Sequence, residues 1–179
     1  MVLSQRPVVL DACVLINLLA GGRLAEMAAA IAPQCLICEA ARGESLFLRS
    51  AEAEGGREAV DLGPWFAEGT LVAVTLSGGE EKLFIRYARD LDDGEAMSMA
   101  VAESRGLPLA TDDRKARAVA AREAVGVRLI STAEIVFAWA GGRGRRVVAE
   151  MVRLIRERAR FLPPSDDPRL EWWLEHLRE

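Results

Sequence analysis

Five carboxylates occupy positions where they could do chemistry together: Asp11, Glu39, Glu95, Asp112 and Asp113. Two short apolar runs end in acids, VVL before Asp11 and LPLAT before Asp112 and Asp113. Such runs read as buried strands. In an open α/β sheet, ligands bind beyond the carboxyl ends of the strands. Carboxylates gathered at one such edge repel each other in a low dielectric unless a cation sits between them. Hard oxygen ligands favour magnesium or manganese. Each acid also has a plainer role open to it. Asp11 suits the cap of the helix that follows, and Asp112 or Asp113 the cap of a helix from 114. Glu95 suits a helix N-terminus through the dipole. Glu39 suits an exposed surface, and Glu44 is its rival for the same role. The case for a metal site lies in several acids recurring at one end of the expected sheet.

The elements that must position these acids follow from patterning. DACVLINLLAGG reads as a helix stopped by Gly21 and Gly22, and residues 23–32 as a second helix ending before Pro33. Residues 34–54 read as loop into helix. Gly55-Gly56 and Gly63-Pro64 mark breaks, and residues 70–76, TLVAVTL, suit a strand. Leu83, Phe84, Tyr87, Ala88 and Leu91 form one helical face. Asp92 or Asp93 then caps a helix whose Ala96, Met99, Ala100 and Ala102 face the core. After the strand at 107–111 comes a helix closed by Gly126, then a strand at 127–130. Ser131 caps a helix through Trp139, with Glu134 at capping-box spacing. Residues 145–161 form an amphipathic helix, its Val147, Val148, Met151, Val152 and Ile155 opposing Arg146, Arg153, Glu157 and Arg160. Residues 163–179 form a loop and short helix with Trp172 and Trp173. Strands alternating with helices indicate a parallel sheet covered on both faces.

The chain of 179 residues, 51% apolar, suits one domain with a real core and excludes overall disorder. Its net charge of −4 is unusual for a nucleic-acid binder. An acid cluster lowers the charge by itself, however, and residues 141–160 hold seven Arg against two Glu. Three cysteines, Cys13, Cys35 and Cys38, with no signal peptide, argue against a secreted disulfide scaffold. Cys35 and Cys38 form a CxxC, but zinc needs about four ligands and the only histidine is the distant His176. No apolar run approaches the roughly 20 residues of a membrane span. A cytoplasmic protein is expected.

Four stretches carry a resemblance: VVLDACVLINL, CLICEA, LDDGEAMSMAVAESRGLPLATDDRKAR and VGVRLISTAEIVFAWA. In order and spacing they resemble the PIN-domain nucleases, in particular the VapC-like toxins and their stand-alone relatives. The resemblance implies a PIN-like three-layer α/β/α sandwich with a central parallel sheet of four or five strands. It implies a nuclease domain over 1–162, including the arginine-rich helix 145–161, and a helical tail over 163–179. Asp11, Glu39 (with Pro33 and Ile37 upstream), Glu95 and Asp112 match the family's catalytic acids, with Asp113 accessory. Asp11, Glu95, Asp112 and Asp113 would hold Mg²⁺ or Mn²⁺, and Glu39 would help orient an ion or a water. The implied activity is hydrolysis of phosphodiesters, usually in RNA, with single-stranded DNA possible as substrate. The implied role is the toxin of a toxin–antitoxin pair, with a cognate antitoxin and a homodimer as partners. Arg114, Lys115, Arg146 and Arg153 are the candidate phosphate contacts. One departure stands out: the family commonly has Ser or Asn two positions after the first Asp, and this chain has Cys13. The alternatives are a catalytically inactive PIN-like binding module and a phosphatase of the haloacid-dehalogenase type. The latter wants a second Asp where Cys13 stands.

Overall fold

β1 (Val8–Leu10) is buried along its whole length, as an apolar run without polar alternation must be when both sheet faces are covered. The computed structural model describes residues 2–43 and 46–178, so Glu44 lies outside the described residues. After β1 come α1 (Ala12–Ala20), α2 (Leu24–Ile31), β2 (Cys35–Cys38), α3 (Glu39–Gly43), and the strands β3 (Phe47–Arg49) and β4 (Arg57–Ala59). Then follow α4 (Gly63–Ala67), β5 (Leu71–Val74), α5 (Glu81–Tyr87), α6 (Asp93–Arg105), β6 (Leu109–Ala110) and α7 (Arg114–Glu123). The chain closes with β7 (Leu129–Ile130), α8 (Thr132–Ala140), α9 (Arg145–Arg158) and α10 (Leu170–Leu177). The main sheet has five parallel strands in the order β5-β2-β1-β6-β7. β3 and β4 pair separately as an antiparallel ribbon.

The two-residue period of a strand sorts the core into two layers. Val8 and Leu10 pack with Leu18, Met27, Val136 and Val152, from α1, α2, α8 and α9. Val9 points the other way, among Tyr87, Met99 and Val119 from α5, α6 and α7. β2 divides likewise: Cys35 and Ile37 join the first layer, Leu36 and Cys38 the second. The two thiols of the CxxC therefore face opposite sides of the sheet and cannot share an ion. This is the three-layer α/β/α arrangement expected from the sequence, with the higher strand count.

Several local expectations need correction. Residues 34–54 do not form a loop leading into a helix. Within them lie β2, a strand between β5 and β1, the five-residue α3, and β3. The run CLIC is buried at all four positions, so it shows no alternation to read. Gly63-Pro64 opens a short helix, with proline in its first turn, where a missing N–H costs nothing. The helix expected over 145–161 ends at Arg158, because Arg160 adopts a positive φ of 61°. Among the described residues no helix is long and apolar enough to cross a membrane.

α6 carries Glu95, and both its ends are fixed. Asp92 accepts from the Glu95 amide at 2.9 Å, and Glu95 Oε2 accepts from the Asp92 amide at 3.4 Å, a complete capping box. At the other end Gly106 takes the left-handed conformation, φ 58°, and Leu107 N donates to Ala102 O.

Candidate active site

The carboxyl edge of the sheet brings β1, β6 and β7 into register, so that Asp11 lies beside Thr111. Thr111 Oγ1 donates to Asp11 Oδ2 at 2.7 Å, and Cys13 Sγ donates to the same oxygen at 3.1 Å. Asp11 is 4% exposed. Burial pushes its carboxyl pKa up, the bonds from Thr111 and Cys13 pull it back, and the charge of Asp92 adds a further upward push. The thiol of Cys13 is driven above its ordinary range, first by burial and then by the Asp11 charge. It therefore stays protonated at neutral pH and serves as a donor to Asp11, not as a nucleophile.

Glu95 is half-buried at the start of α6. Its carboxyl is raised to about 7, first by burial and then by the charges of Asp113, Asp92 and Asp11. The other three acids are thus close enough at the edge for Glu95 to feel their charges. Asp113 caps α7, its Oδ1 accepting from Ala116 N at 2.8 Å. Asp113 N in turn donates to Thr111 Oγ1 at 3.1 Å. Thr111, fully buried, therefore ties Asp11 to Asp113.

Asp112 points elsewhere. Its Oδ1 accepts from Thr132 N at 3.0 Å, and its Oδ2 accepts from Asn17 Nδ2 at 3.0 Å and from the Thr132 hydroxyl. The Thr132 amide is one of the four free N–H groups at the start of α8. Ser131 accepts from another, that of Glu134. Asp112 thus caps α8, and Asp113 caps α7. Glu39 is exposed as the first residue of α3, at the carboxyl end of β2, on a helix that packs against α6.

The candidate phosphate contacts separate in space. Arg114 and Lys115 are exposed in the first turn of α7, directly after Asp113. Arg114 also lines a groove of about 660 Å³ with Asp112, Arg117 and the segment 164–169. Arg146 and Arg153 are exposed on α9. The first half of α9 lies against Gly21 and Gly22, at the end of α1 away from Asp11. Nine helical residues put that end roughly 13 Å from the acids. The structure therefore brings Arg114 and Lys115 to the acids and leaves Arg146 apart.

Sequence patterning read Asp92 as a cap alone and passed over Asn17, Thr111 and Thr132. A signal for Asn17 exists: it is the one polar residue within the apolar run of α1, six positions after Asp11.

The donor set suits a hard divalent cation. It consists of mutually repelling carboxylate oxygens, and the thiol beside them, that of Cys13, stays protonated as a donor to Asp11. Cys35 and Cys38 are buried thiols raised to about 12 and about 11, and the His176 ring is bonded to Trp172 O. Among the described residues no three His, Cys, Asp or Glu side chains close on one point. The acids gather at the edge without converging on one point.

The raised carboxyl of Glu95 makes a prediction. Ionised Glu95 costs folding energy above pH 7, whereas below the ordinary carboxyl value of 4.5 both states are protonated and the cost is gone. Metal-free protein should therefore gain stability as pH falls from 7 to 4.5. Glu95→Gln keeps the acceptor for Asp92 N but removes the charge. It should stabilise the metal-free protein at pH 8 by about 1.4 kcal/mol, the worth of one pKa unit, or more. Urea unfolding at pH 8 and pH 4.5 checks this; a gain of equal size at both values would contradict it.

A family model described as a PIN domain matches residues 7–164 of the chain. No curated protein and no solved structure matches it.

Proposed function

The chain belongs to the PIN-domain family, usually nucleases that use divalent metals, and from that premise we propose that it is a metal-dependent endoribonuclease acting as the toxin of a toxin–antitoxin pair. The observation that carries the reading is the gathering of Asp11, Asp113 and Glu95 at the carboxyl edge of the parallel sheet, where Thr111 bonds to both aspartates and Glu95 is pushed up to about 7 by burial first and then by the charges of Asp113, Asp92 and Asp11. RNA as substrate, the toxin role and a cognate antitoxin rest on the resemblance to VapC-like proteins.

In this reading Asp11, Glu95 and Asp113 hold Mg²⁺ or Mn²⁺. When bound, such an ion makes a water more acidic and neutralises charge on the phosphate. The chain's own residues do the rest. Thr111 and Cys13 fix the Asp11 carboxylate, and the Ala116 amide fixes that of Asp113. Glu95 must lose its proton to act as a ligand, so its competent form gains ground as pH rises through 7. Glu39, exposed at the same edge, would help to hold or orient an ion or a water. Asp112 acts through the backbone, pinning the turn between β6 and α7 to α8 and Asn17. Arg114 and Lys115 contact phosphate oxygens flanking the cleaved bond.

The test is cleavage of a mixed RNA pool with Mg²⁺ or Mn²⁺. Fragments are expected with either ion, none in EDTA, and about 100-fold less cleavage or lower for Asp11→Asn. Full activity in EDTA, or in Asp11→Asn, would overturn the reading.

A further inference from the structure

The β3–β4 ribbon has two features that the fold does not explain. Its register sets Arg49 directly opposite Arg57 and Phe47 opposite Ala59. Alternation along the strands places Phe47, Arg49, Arg57 and Ala59 on one face, and all four are exposed, Phe47 at 45%. Like charges directly opposite in an antiparallel pair are destabilising, and a ribbon this short has little stability of its own to spare. Among the described residues neither guanidinium has an ion-pair partner. The other face is anchored to the fold. Leu48 is buried against the α1 layer, and Arg158 of α9 donates to Glu58 at 2.9 Å. The ribbon is thus fixed in place, with its arginine–aromatic face turned outward.

That face follows the carboxyl edge closely in the chain, with Phe47 eight residues after Glu39. β3 packs on α1, the helix that starts next to Asp11, and equally on α9. We propose that the outward face of the β3–β4 ribbon, Arg49 and Arg57 with Phe47, binds the single-stranded RNA whose cleavage is proposed above, and so rests on that reading. Phosphate oxygens set between two guanidinium groups turn the Arg49–Arg57 repulsion into charge-assisted hydrogen bonding. Two residues along the same face, roughly 7 Å away, the Phe47 ring offers a stacking surface to an unpaired base. A base held in a duplex cannot reach such a surface, so the face selects single strands. None of these residues touches the acids, so the ribbon governs substrate affinity and not the cleavage step.

The experiment is fluorescence anisotropy of a short labelled single-stranded RNA with full-length protein in Ca²⁺. Mn²⁺-dependent cleavage by the same wild-type preparation is measured alongside. The variant Arg49→Ser/Arg57→Ser is expected to bind RNA on the order of tenfold more weakly. Its slope of log affinity against log salt should fall by about 1.4, the share of two phosphate contacts on a single strand. Phe47→Ala should weaken single-strand binding about fivefold or more and leave duplex RNA unaffected. Lysine at both arginine positions should restore the salt slope. Thermal midpoints and Mn²⁺ affinity should match wild type throughout, which separates lost contacts from lost fold. Unchanged RNA affinity in both variants, or no RNA binding by wild type, overturns the proposal. If wild type cleaves RNA and the variants bind as tightly, the ribbon proposal alone fails. If the variants lose binding and wild type does not cleave, the nuclease reading fails and the ribbon stands.

Discussion

Replacing Asp113 by Asn is expected to lower metal-dependent RNA cleavage about 100-fold or more while leaving the fold as stable as before. The two halves of this expectation have different causes. Asn caps a helix about as well as Asp, so the bond from Ala116 N to the start of α7 survives. What is lost is a charge facing Glu95 and, in the proposed site, an ion-holding oxygen. Asp112→Asn should behave in the opposite way. Its carboxylate accepts from Thr132 N, the Thr132 hydroxyl and Asn17. An amide has only one acceptor oxygen, so its NH₂ group would face donors, at a cost of about 1–3 kcal/mol. Denaturant midpoints and cleavage rates on the two variants separate the roles. A stable but inactive Asp112→Asn beside a fully active Asp113→Asn would show the assignment to be reversed.

Arg105→Met should cost about 3 kcal/mol of stability, the low end for breaking a buried ion pair because Arg105 is itself partly exposed. Glu80 is only 2% exposed. Arg105 grips it with both ends of the guanidinium, Nε to Oε1 at 2.7 Å and Nη2 to Oε2 at 2.9 Å, and also donates to Thr75 O. The Arg105 hydrogen bonds, chiefly, hold the Glu80 carboxyl down at about 2, against 4.5 normally. A depressed carboxyl contributes stability that is complete above pH 4.5 and lost as pH falls toward 2. The stability gap between Arg105→Met and wild type should accordingly narrow as pH falls from 4.5 toward 2. Glu95 acts with the opposite sign, so acidification first relieves the metal-free protein and then unfolds it. Arg105 and Glu95 are ten residues apart on α6, roughly 15 Å. Cleavage per folded molecule should therefore persist in Arg105→Met well below its thermal midpoint. Urea unfolding with a parallel rate measurement checks both statements, and lost activity in a folded variant would contradict the second.

Much of the fold was legible because local signals agreed with it. Apolar runs ending in acids marked β1 and β6, and the capping residues Asp92 and Ser131 marked the starts of α6 and α8. β2 escaped because a strand covered on both faces shows no alternation, and at four residues CLIC is too short to separate from other buried segments. The ribbon escaped because only Leu48 of its β3 strand is buried, leaving no apolar pattern. In the site, acids at strand ends were readable as a group. Which of two adjacent aspartates faces Glu95 was not. Neighbours in the chain point to different sides, and the outcome depends on two helix N-termini, those of α7 and α8, that meet only in the folded chain. The arginines of α9 show the same limit. Helical spacing identified their exposed face but not which end of α1 they accompany.

The most direct test of the central claim is a calorimetric titration of Mn²⁺ into the metal-free protein near pH 7. Wild type should show saturable binding with proton release as Glu95 gives up its proton, seen as heats that depend on the buffer. Binding should be lost in a triple variant carrying Asp11→Asn, Glu95→Gln and Asp113→Asn. Equal Mn²⁺ affinity in wild type and the triple variant would contradict it.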